Sequence, residues 1–520
     1  MAIVRPAEKL IRGLQWLTPG LKVKRWLALV PIGLLPVIVG VVLLAQLNTL
    51  DWLQDTEAWM RTTLNIPLGM PAVFYPLGGV LIVLGLGILL AALVGINRSI
   101  VSVISPEHLE DLPDVIRRKR SLAQGPRIVV VGGGTGLSTL LRGLKRYSSN
   151  LTAIVTMTDD GGSSGLLQQQ LPGGILPPGD IRNCLVALAD EEGLMQDLFQ
   201  YRFTTRDSKD GLSGHSFGNL LIAAMTDITG DFEKAIEATS DILAIRGRVL
   251  PSTTESVVLV GQMSDGREVT GESRITSDEA AISRIKLCPE DPLPVTEVLT
   301  AIRQAEVIVL GPGSIFTSVI PNLLVREISR SLARSKALKL YICNVMTQPG
   351  ETDGFNASDH VQAIEDHVAS VLPNRPRLID YVLVNVARPT ADTLERYARV
   401  GAAFVEPDIE QIEKRGYRTV RGKFMSENNY VRHDAPALAD AIWTLWQKKR
   451  REKPFCFPAR CGGICYRIVS EAIKGSGDLE CYERSLESRT SPDPWGKRTC
   501  ARYLFHLSRE GALAAHHGAL

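Results

Sequence analysis

A chain of 520 residues with 58 Lys and Arg against 56 Asp and Glu is close to charge balance. That balance excludes the basic footprint of a nucleic-acid binder, and the length admits a large core with appendages. The charge is unevenly placed: Arg5, Lys9, Arg12, Lys22, Lys24 and Arg25 precede Trp26, with Glu8 the only acid among them.

Residues 27–47 and 68–96 are then uncharged and almost wholly apolar. Each is long enough to cross a hydrocarbon layer of about 30 Å. Pro31, Pro36, Pro71 and Pro76 are tolerable inside such spans or at their ends. A cleaved secretory signal fits poorly, because the basic lead is long, no small-residue cleavage site follows, and a second span comes after. The loop at 48–67 carries Asp51, Asp55 and Glu57 against Arg61. Outside the spans lie the basic N-terminus (1–26) and a linker (97–125) with Arg98, Arg117, Arg118, Lys119 and Arg120. Positive residues stay inside. The expectation is a two-pass protein of the inner (cell) membrane with both ends cytoplasmic, its basic linker acting as a topology signal or lipid contact.

From 126 to 449 short apolar strands alternate with helical stretches, which predicts an α/β domain. Residues 127–131 read as a strand buried on both faces. Gly132, Gly133, Gly134, Thr135 and Gly136 make a turn whose N–H groups are open to a ligand, and 137–145 has helical spacing. Such a turn at a helix N-terminus is a cradle for phosphate. It is neither the dinucleotide fingerprint, since Leu137 stands where the third glycine belongs, nor a Walker loop, which ends in Gly-Lys-Ser/Thr.

A second strand at 151–156 leads to Asp159 and Asp160, followed by the small run with Ser163 and Ser164. Paired acids at a strand's carboxyl end can hold Mg²⁺, bind a ribose or act as a base; they can also be a solvated cap. Asp180 suits a helix N-cap behind Pro177 and Pro178. Arg182 and Asn183 then fall in the first turn, where a cation opposes the dipole unless it faces an anion, a ligand or an acidic neighbour. His215, with Ser216 and Asn219, precedes a helix at 220–226 and is either structural or part of a polar lining.

Residues 256–263 and 267–270 read as a hairpin outside the parallel sheet. Strands are expected at 306–310, 338–343 and 381–385. The first ends in Gly311, Pro312, Gly313 and Ser314, after which 315–325 is expected to be helical only beyond Pro321. The second ends in the string from Asn344 through Thr347 to Thr352. Polar strand ends thus converge on one rim.

These segments in order resemble the YvcK/CofD family, which joins gluconeogenesis factors to the 2-phospho-L-lactate transferases of coenzyme F420 synthesis. The likeness covers about 127–434 and rests on Gly132 to Gly136, the Thr158 to Gly165 run, Pro177 to Asn183, His215 to Leu220, Gly311 to Ser314 and Asn344 to Thr352. Gly161, Gly162, Ser163, Ser164 and Gly165 after the acid pair favour the gluconeogenesis-factor branch. The resemblance implies a Rossmann-like, mostly parallel sheet with helices on both faces, here preceded by two transmembrane helices. It implies a UDP-sugar ligand such as UDP-N-acetylglucosamine and a role in cell shape and wall-precursor flux. Wall-synthesis or morphogenesis proteins and a second copy of the chain are the partners in view. Tyr397 is a candidate for stacking on uracil and Arg432 for a phosphate contact. Two alternatives stand beside this reading: an enzyme of the transferase branch, with Mg²⁺ on Asp159 and Asp160, and a membrane scaffold for wall-synthesis proteins. The segment 450–520, with Cys456, Cys461, Cys465, Cys481 and Cys500, lacks zinc-knuckle spacing and reads as a poorly ordered tail.

Overall fold

The computed structural model describes residues 24–45, 70–104, 112–170, 175–190, 193–203, 212–374, 376–427 and 430–452. The basic N-terminus before Lys24, the acidic loop and the Cys-bearing tail from 453 lie outside the described residues. The chain divides into two compact units, Met1–Ser121 and Leu122–Leu520.

In the first unit the helices Leu29–Ala45 and Met70–Ile104 pack side by side. Glycines seven residues apart let them approach. A Cβ on Gly40 would lie 2.6 Å from the Gly78 carbonyl oxygen, and one on Gly85 would lie 2.6 Å from that of Gly33. Backbone against backbone at two levels is how apolar helices associate where side-chain hydrophobicity gives no advantage. Among the described residues one helix is long and apolar enough to cross a membrane, over Tyr75–Ile96. Leu29–Ala45 is as apolar, but its 17 described residues reach only about 26 Å.

The second unit is built on seven parallel strands. In chain order they are β1 (Ile128–Gly132), β2 (Leu151–Val155) and β3 (Arg248–Pro251). A three-stranded antiparallel excursion follows: β4 (Val258–Met263), β5 (Glu268–Thr270) and β6 (Ile282–Cys288). The chain then returns as β7 (Val307–Leu310), β8 (Leu338–Ile342), β9 (Tyr381–Asn385) and β10 (Arg418–Gly422). A two-stranded ribbon, β11 (Met425–Glu427) and β12 (Val431–His433), precedes the last helix, Ala435–Glu452. The main sheet runs β10-β9-β8-β7-β1-β2-β3. The first three strands build outward from β1 on one side, and everything after the excursion builds outward on the other. The reversal falls between β1 and β7, in register from Ile128 opposite Val307.

Both faces are covered, and the strand sequences show why. Val129 and Val131 of β1 enter one core with Ile308, Tyr341 and Val382, while Ile128 and Val130 enter the other with Val309, Leu340 and Leu383. Each such aliphatic side chain contributes about 1.5–3 kcal/mol on burial. A strand sealed on both sides has no use for polar alternation, so β1 reads as one unbroken apolar run.

Several boundaries depart from the sequence reading. The helix expected at 220–226 runs Phe217–Thr229, with Ser216 as its cap and Asn219 inside its first turn, and β3, β6 and β10 are strands where none is expected. The first crossover helix is Gly134–Leu144, so Gly134, Thr135 and Gly136 form its first turn instead of a loop before it. Asp180 is not an N-cap: the helix is Gly179–Leu188 with Pro178 at the cap, and Asp180 sits inside its first turn. Residues 315–319 are helical too, as a π-turn capped by Ser314 that runs into the helix Ile320–Leu324. Pro321 lies in that helix's first turn, where its missing N–H costs nothing.

A Cβ on Gly143 would lie 2.4 Å from the Ala435 carbonyl oxygen, so the first crossover helix and the last helix touch through backbone. The variant Gly143→Val should lose about 1–3 kcal/mol in urea unfolding through overpacking. An unchanged midpoint would show that this helix pair is not tightly seated.

Candidate functional site

Where the strand order reverses, the connections leaving β1 and β7 splay to opposite sides and open a crevice at the carboxyl ends. A cleft of about 810 Å³ lies there. Its floor is Gly133, Gly134, Thr135 and Gly136 after β1, with Gly313 and Ser314 after β7. Residues 344–349 after β8 form one wall, including Asn344 and Thr347.

The glycines are demanded by backbone contact. Gly134 has φ +65°, and a Cβ on Gly136 would stand 2.6 Å from the Pro312 carbonyl oxygen. The turns after β1 and β7 are therefore pressed together. Gly132 and Gly311 lie behind the floor as the buried hinge points of these turns. A Cβ on Gly133 would stand 2.6 Å from an Asp180 carboxylate oxygen. That carboxylate accepts the Gly134 N–H. One donor of the cradle thus already holds a carboxylate, in the position an anionic ligand oxygen would take. Burial, then the neighbouring Asp159, pushes the Asp180 carboxyl up to about 6.

Behind this floor lies a buried polar layer. The Arg182 guanidinium donates to the Ser216 hydroxyl, to Asn219 Oδ1 at 3.1 Å and to Asn183 Oδ1 at 3.0 Å. Ser163 Oγ lies 3.3 Å from His215 Nδ1, and the other ring nitrogen of His215 is 3.1 Å from Gln170 Oε1. Ser164 Oγ accepts the Gly179 N–H at 3.2 Å. Of this group only Asn183 reaches the cleft wall. Burial, then Arg202, lowers the Arg182 pKa, Asp180 and Asp159 act the other way, and the guanidinium's direct hydrogen bonds go to neutral groups.

Asp159 accepts the Gly161 N–H at 3.0 Å, whereas Asp160 accepts from the Ser273 N–H at 2.8 Å and hydroxyl at 2.6 Å. The two carboxylates face different neighbours. Among the described residues no three His, Cys, Asp or Glu side chains gather to hold a metal. Asp160 ties down the short helix Glu272–Thr276 of the excursion.

That helix brings Glu272 into the cleft, a residue sequence reasoning missed. Burial first, then Asp159 and Asp180, pushes its carboxyl up to about 9. Glu351, also missed, accepts from the Ser314 hydroxyl and is pushed by burial up to about 7. Only the order of the excursion in the chain could have hinted at Glu272. Glu351 lies in the 344–352 string, where a signal was present. Arg142, Gln196 and Gln200 line the cleft from helices, where such residues ordinarily read as solvated faces.

Tyr397 and Arg432 both stand in the wall. The Tyr397 hydroxyl accepts the Val431 N–H at 3.0 Å, joining the helix Ala391–Ala398 to β12. His433 follows, held neutral by burial with its pKa lowered to about 4.

A parallel α/β domain with glycine turns at its topological switch point has the Rossmann-like arrangement, with its cleft at the carboxyl ends of the strands. A family profile described as 2-phospho-L-lactate transferase CofD matches residues 128–425. The gluconeogenesis factor of Bacillus subtilis is 46% identical over 325 residues, covering 62% of this chain and 99% of its own. A Clostridium acetobutylicum relative is 43% identical over 484 residues, covering 91% of this chain and 99% of its own. A match of that extent takes in the second apolar segment wherever it begins. The crystal structure of a UPF0052 family member from Bacillus halodurans is 48% identical with a TM-score of 0.57, covering 61% of this chain and 99% of its own. The chain belongs to the CofD/YvcK family.

Glu272 binds its proton more tightly folded than unfolded. Its contribution to stability is present below its ordinary 4.5 and lost as pH rises through about 9. Glu272→Gln should therefore gain stability at pH 8 relative to pH 5, by at least about 2 kcal/mol in urea titrations. Parallel pH profiles for the variant and the parent chain would refute the assignment.

Proposed function

We propose that this chain is a membrane-tethered, nucleotide-sugar-binding regulator of the gluconeogenesis-factor type, linked to cell shape and wall-precursor metabolism. The observation that carries the reading is the cleft itself. A glycine floor, one of whose N–H donors is held by Asp180 until a diphosphate displaces it, lies beside Arg432 and Tyr397, a guanidinium for phosphate and a ring for the base. UDP-N-acetylglucosamine suits these groups. Calorimetry on residues 122–452 should show binding, reduced at least about tenfold by Tyr397→Ala. Gly136→Val, whose branched side chain would meet the Pro312 carbonyl, should abolish it. A domain that binds no UDP-sugar sinks the proposal.

A second reading, a transferase like the one that names the matching profile, draws on Glu272 and Asp180. Their raised carboxyls beside the cradle are suited to proton transfer. Turnover of a deazaflavin acceptor by the purified domain decides it.

For the membrane, the reading is a two-pass hairpin with both ends cytoplasmic. Support comes from the paired glycine contacts of Leu29–Ala45 with Met70–Ile104 and from the positive flanks. A cysteine replacing Asp55 should react with a membrane-impermeant maleimide in intact cells, and one replacing Glu395 should not. The reverse pattern would put the cleft outside, away from cytoplasmic nucleotide sugars.

A further inference from the structure

Because all seven strands of the main sheet are parallel, the sheet domain has two unlike ends, and the cleft takes the carboxyl one. At the amino end the exposed charged side chains are mostly cations. Arg127 precedes β1, Arg248 opens β3, Lys336 precedes β8 and Arg418 opens β10, all exposed. Arg146 is exposed where the first crossover returns to start β2. The last helix finishes at this end as well. Lys449 Nζ donates to the Lys336 carbonyl at 3.3 Å, which places the exposed Lys448, Arg450 and Arg451 there.

Most acids at this end are engaged by the protein itself, although Asp241 is exposed in the last turn of the helix that leads into β3. Asp190 pairs with Arg246, Glu306 accepts the Arg127 N–H, Asp380 accepts the Lys339 N–H, and Asp440 accepts from the Tyr147 hydroxyl. Glu452 lies beside Arg418. Between the amino ends of β1, β2 and β3 is a recess of about 330 Å³, lined by Arg127, Ser149, Asn150, Arg248 and Gln304. Two guanidinium groups and neutral polar groups with no carboxylate on the wall suit a phosphate headgroup.

The polypeptide arriving from the apolar helix Met70–Ile104 enters the domain here. Arg117, Arg118, Lys119 and Arg120 are exposed near the end of the helix Leu112–Ala123. The Leu122 carbonyl then accepts the Ser149 N–H at 3.0 Å, and Asn150 donates to the Ala123 carbonyl at 2.9 Å.

We propose that the amino-end face docks on an anionic lipid surface, with the recess taking one phosphate headgroup and the ligand cleft facing the other way. The nearness of lipid rests on the membrane-tethered reading; the charge distribution and the recess do not. Such docking would hold the cleft in a fixed orientation at the membrane.

The test uses residues 122–452, which correspond to a relative crystallised with nothing beyond this domain. It should pellet with phosphatidylcholine vesicles containing phosphatidylglycerol and not with phosphatidylcholine alone. Each basic residue near such a surface strengthens binding about fivefold, so reversing Lys448, Arg450 and Arg451 to Glu should weaken it at least about tenfold. About 1 M salt, where the Debye length is about 3 Å, should release it. Arg127→Ala with Arg248→Ala should weaken it through the recess, a second variant set in case the helix-end triple does not fold. Reversing Arg388, Arg399 and Lys423, which lie toward the other end, should leave vesicle binding intact. Equal binding to both vesicle types, an equal loss in this control, or tighter capture by duplex DNA would overturn the proposal. So would displacement by millimolar glycerol phosphate, which would make the recess a site for a free phosphate. Membrane extraction of the full chain tests the hairpin separately, because the vesicle assay lacks it.

Discussion

The structure depends on one backbone contact, the turn after β1 against the turn after β7. Gly136 lies against the Pro312 carbonyl so closely that a single methyl group would separate them. That contact lets two neighbouring parallel strands end together while their onward connections part to either side. The crevice, the accessible N–H groups of the first crossover helix and the π-turn starting at Ile315 all follow from it. Glycine serves here because it has no side chain to hold the turns apart, and at Gly134 because φ is positive.

The floor so formed is electrostatically unusual. A helix N-terminus invites an anion, and the protein supplies one in Asp180. Asp180 in turn crowds Asp159 and Glu272, and burial raises the carboxyls of Asp180 and Glu272, offset in part by the Gly134 N–H and Arg182 at Asp180 and by the Thr317 hydroxyl at Glu272. A site arranged in this way holds its buried acids partly protonated, with one internal carboxylate seated on the turn's own N–H. The same crowding makes the excursion β4–β6 more than decoration. It carries the helix that delivers Glu272, and Asp160 fastens that helix through Ser273.

Much of this was legible in the chain because parallel sheets write themselves plainly. β1, β7 and β9 are apolar runs that end in or lead into glycine or Asn, the pattern that two-sided burial favours, and β8 departs from it only at the buried Lys339. The hairpin that opens the excursion was legible from its turn at Ser264, Asp265 and Gly266, while its third strand β6 and the helix Glu272–Thr276 were not. Helix starts were not, since glycine in a first turn looks like loop, and Asp180 has the residue type of a cap while serving the neighbouring cradle. The roles of Asp159 and Asp160 were illegible for a related reason. Adjacent residues at a strand end point to different neighbours, and which neighbour each meets is set by the distant helix Glu272–Thr276. Arg142, Gln196 and Gln200 are helix-surface residues until the fold turns that surface into a wall.

The polarity of a parallel sheet ties these observations together. Strand ends of one kind gather helix N-termini, glycine turns and buried acids, and the opposite ends gather helix C-termini, where cations complement the dipole. The helix Ala435–Glu452 ends in Lys448, Lys449, Arg450 and Arg451 for that local reason, and β3 and β10 each open on Arg. A domain whose chain arrives at the basic end from an apolar helix thus has its charged face and its ligand cleft assigned to opposite ends by topology alone. Moving β7 to the outer edge beside β3 would keep every strand and most of the core, yet it would remove the contact between the glycine turns and with it the cleft.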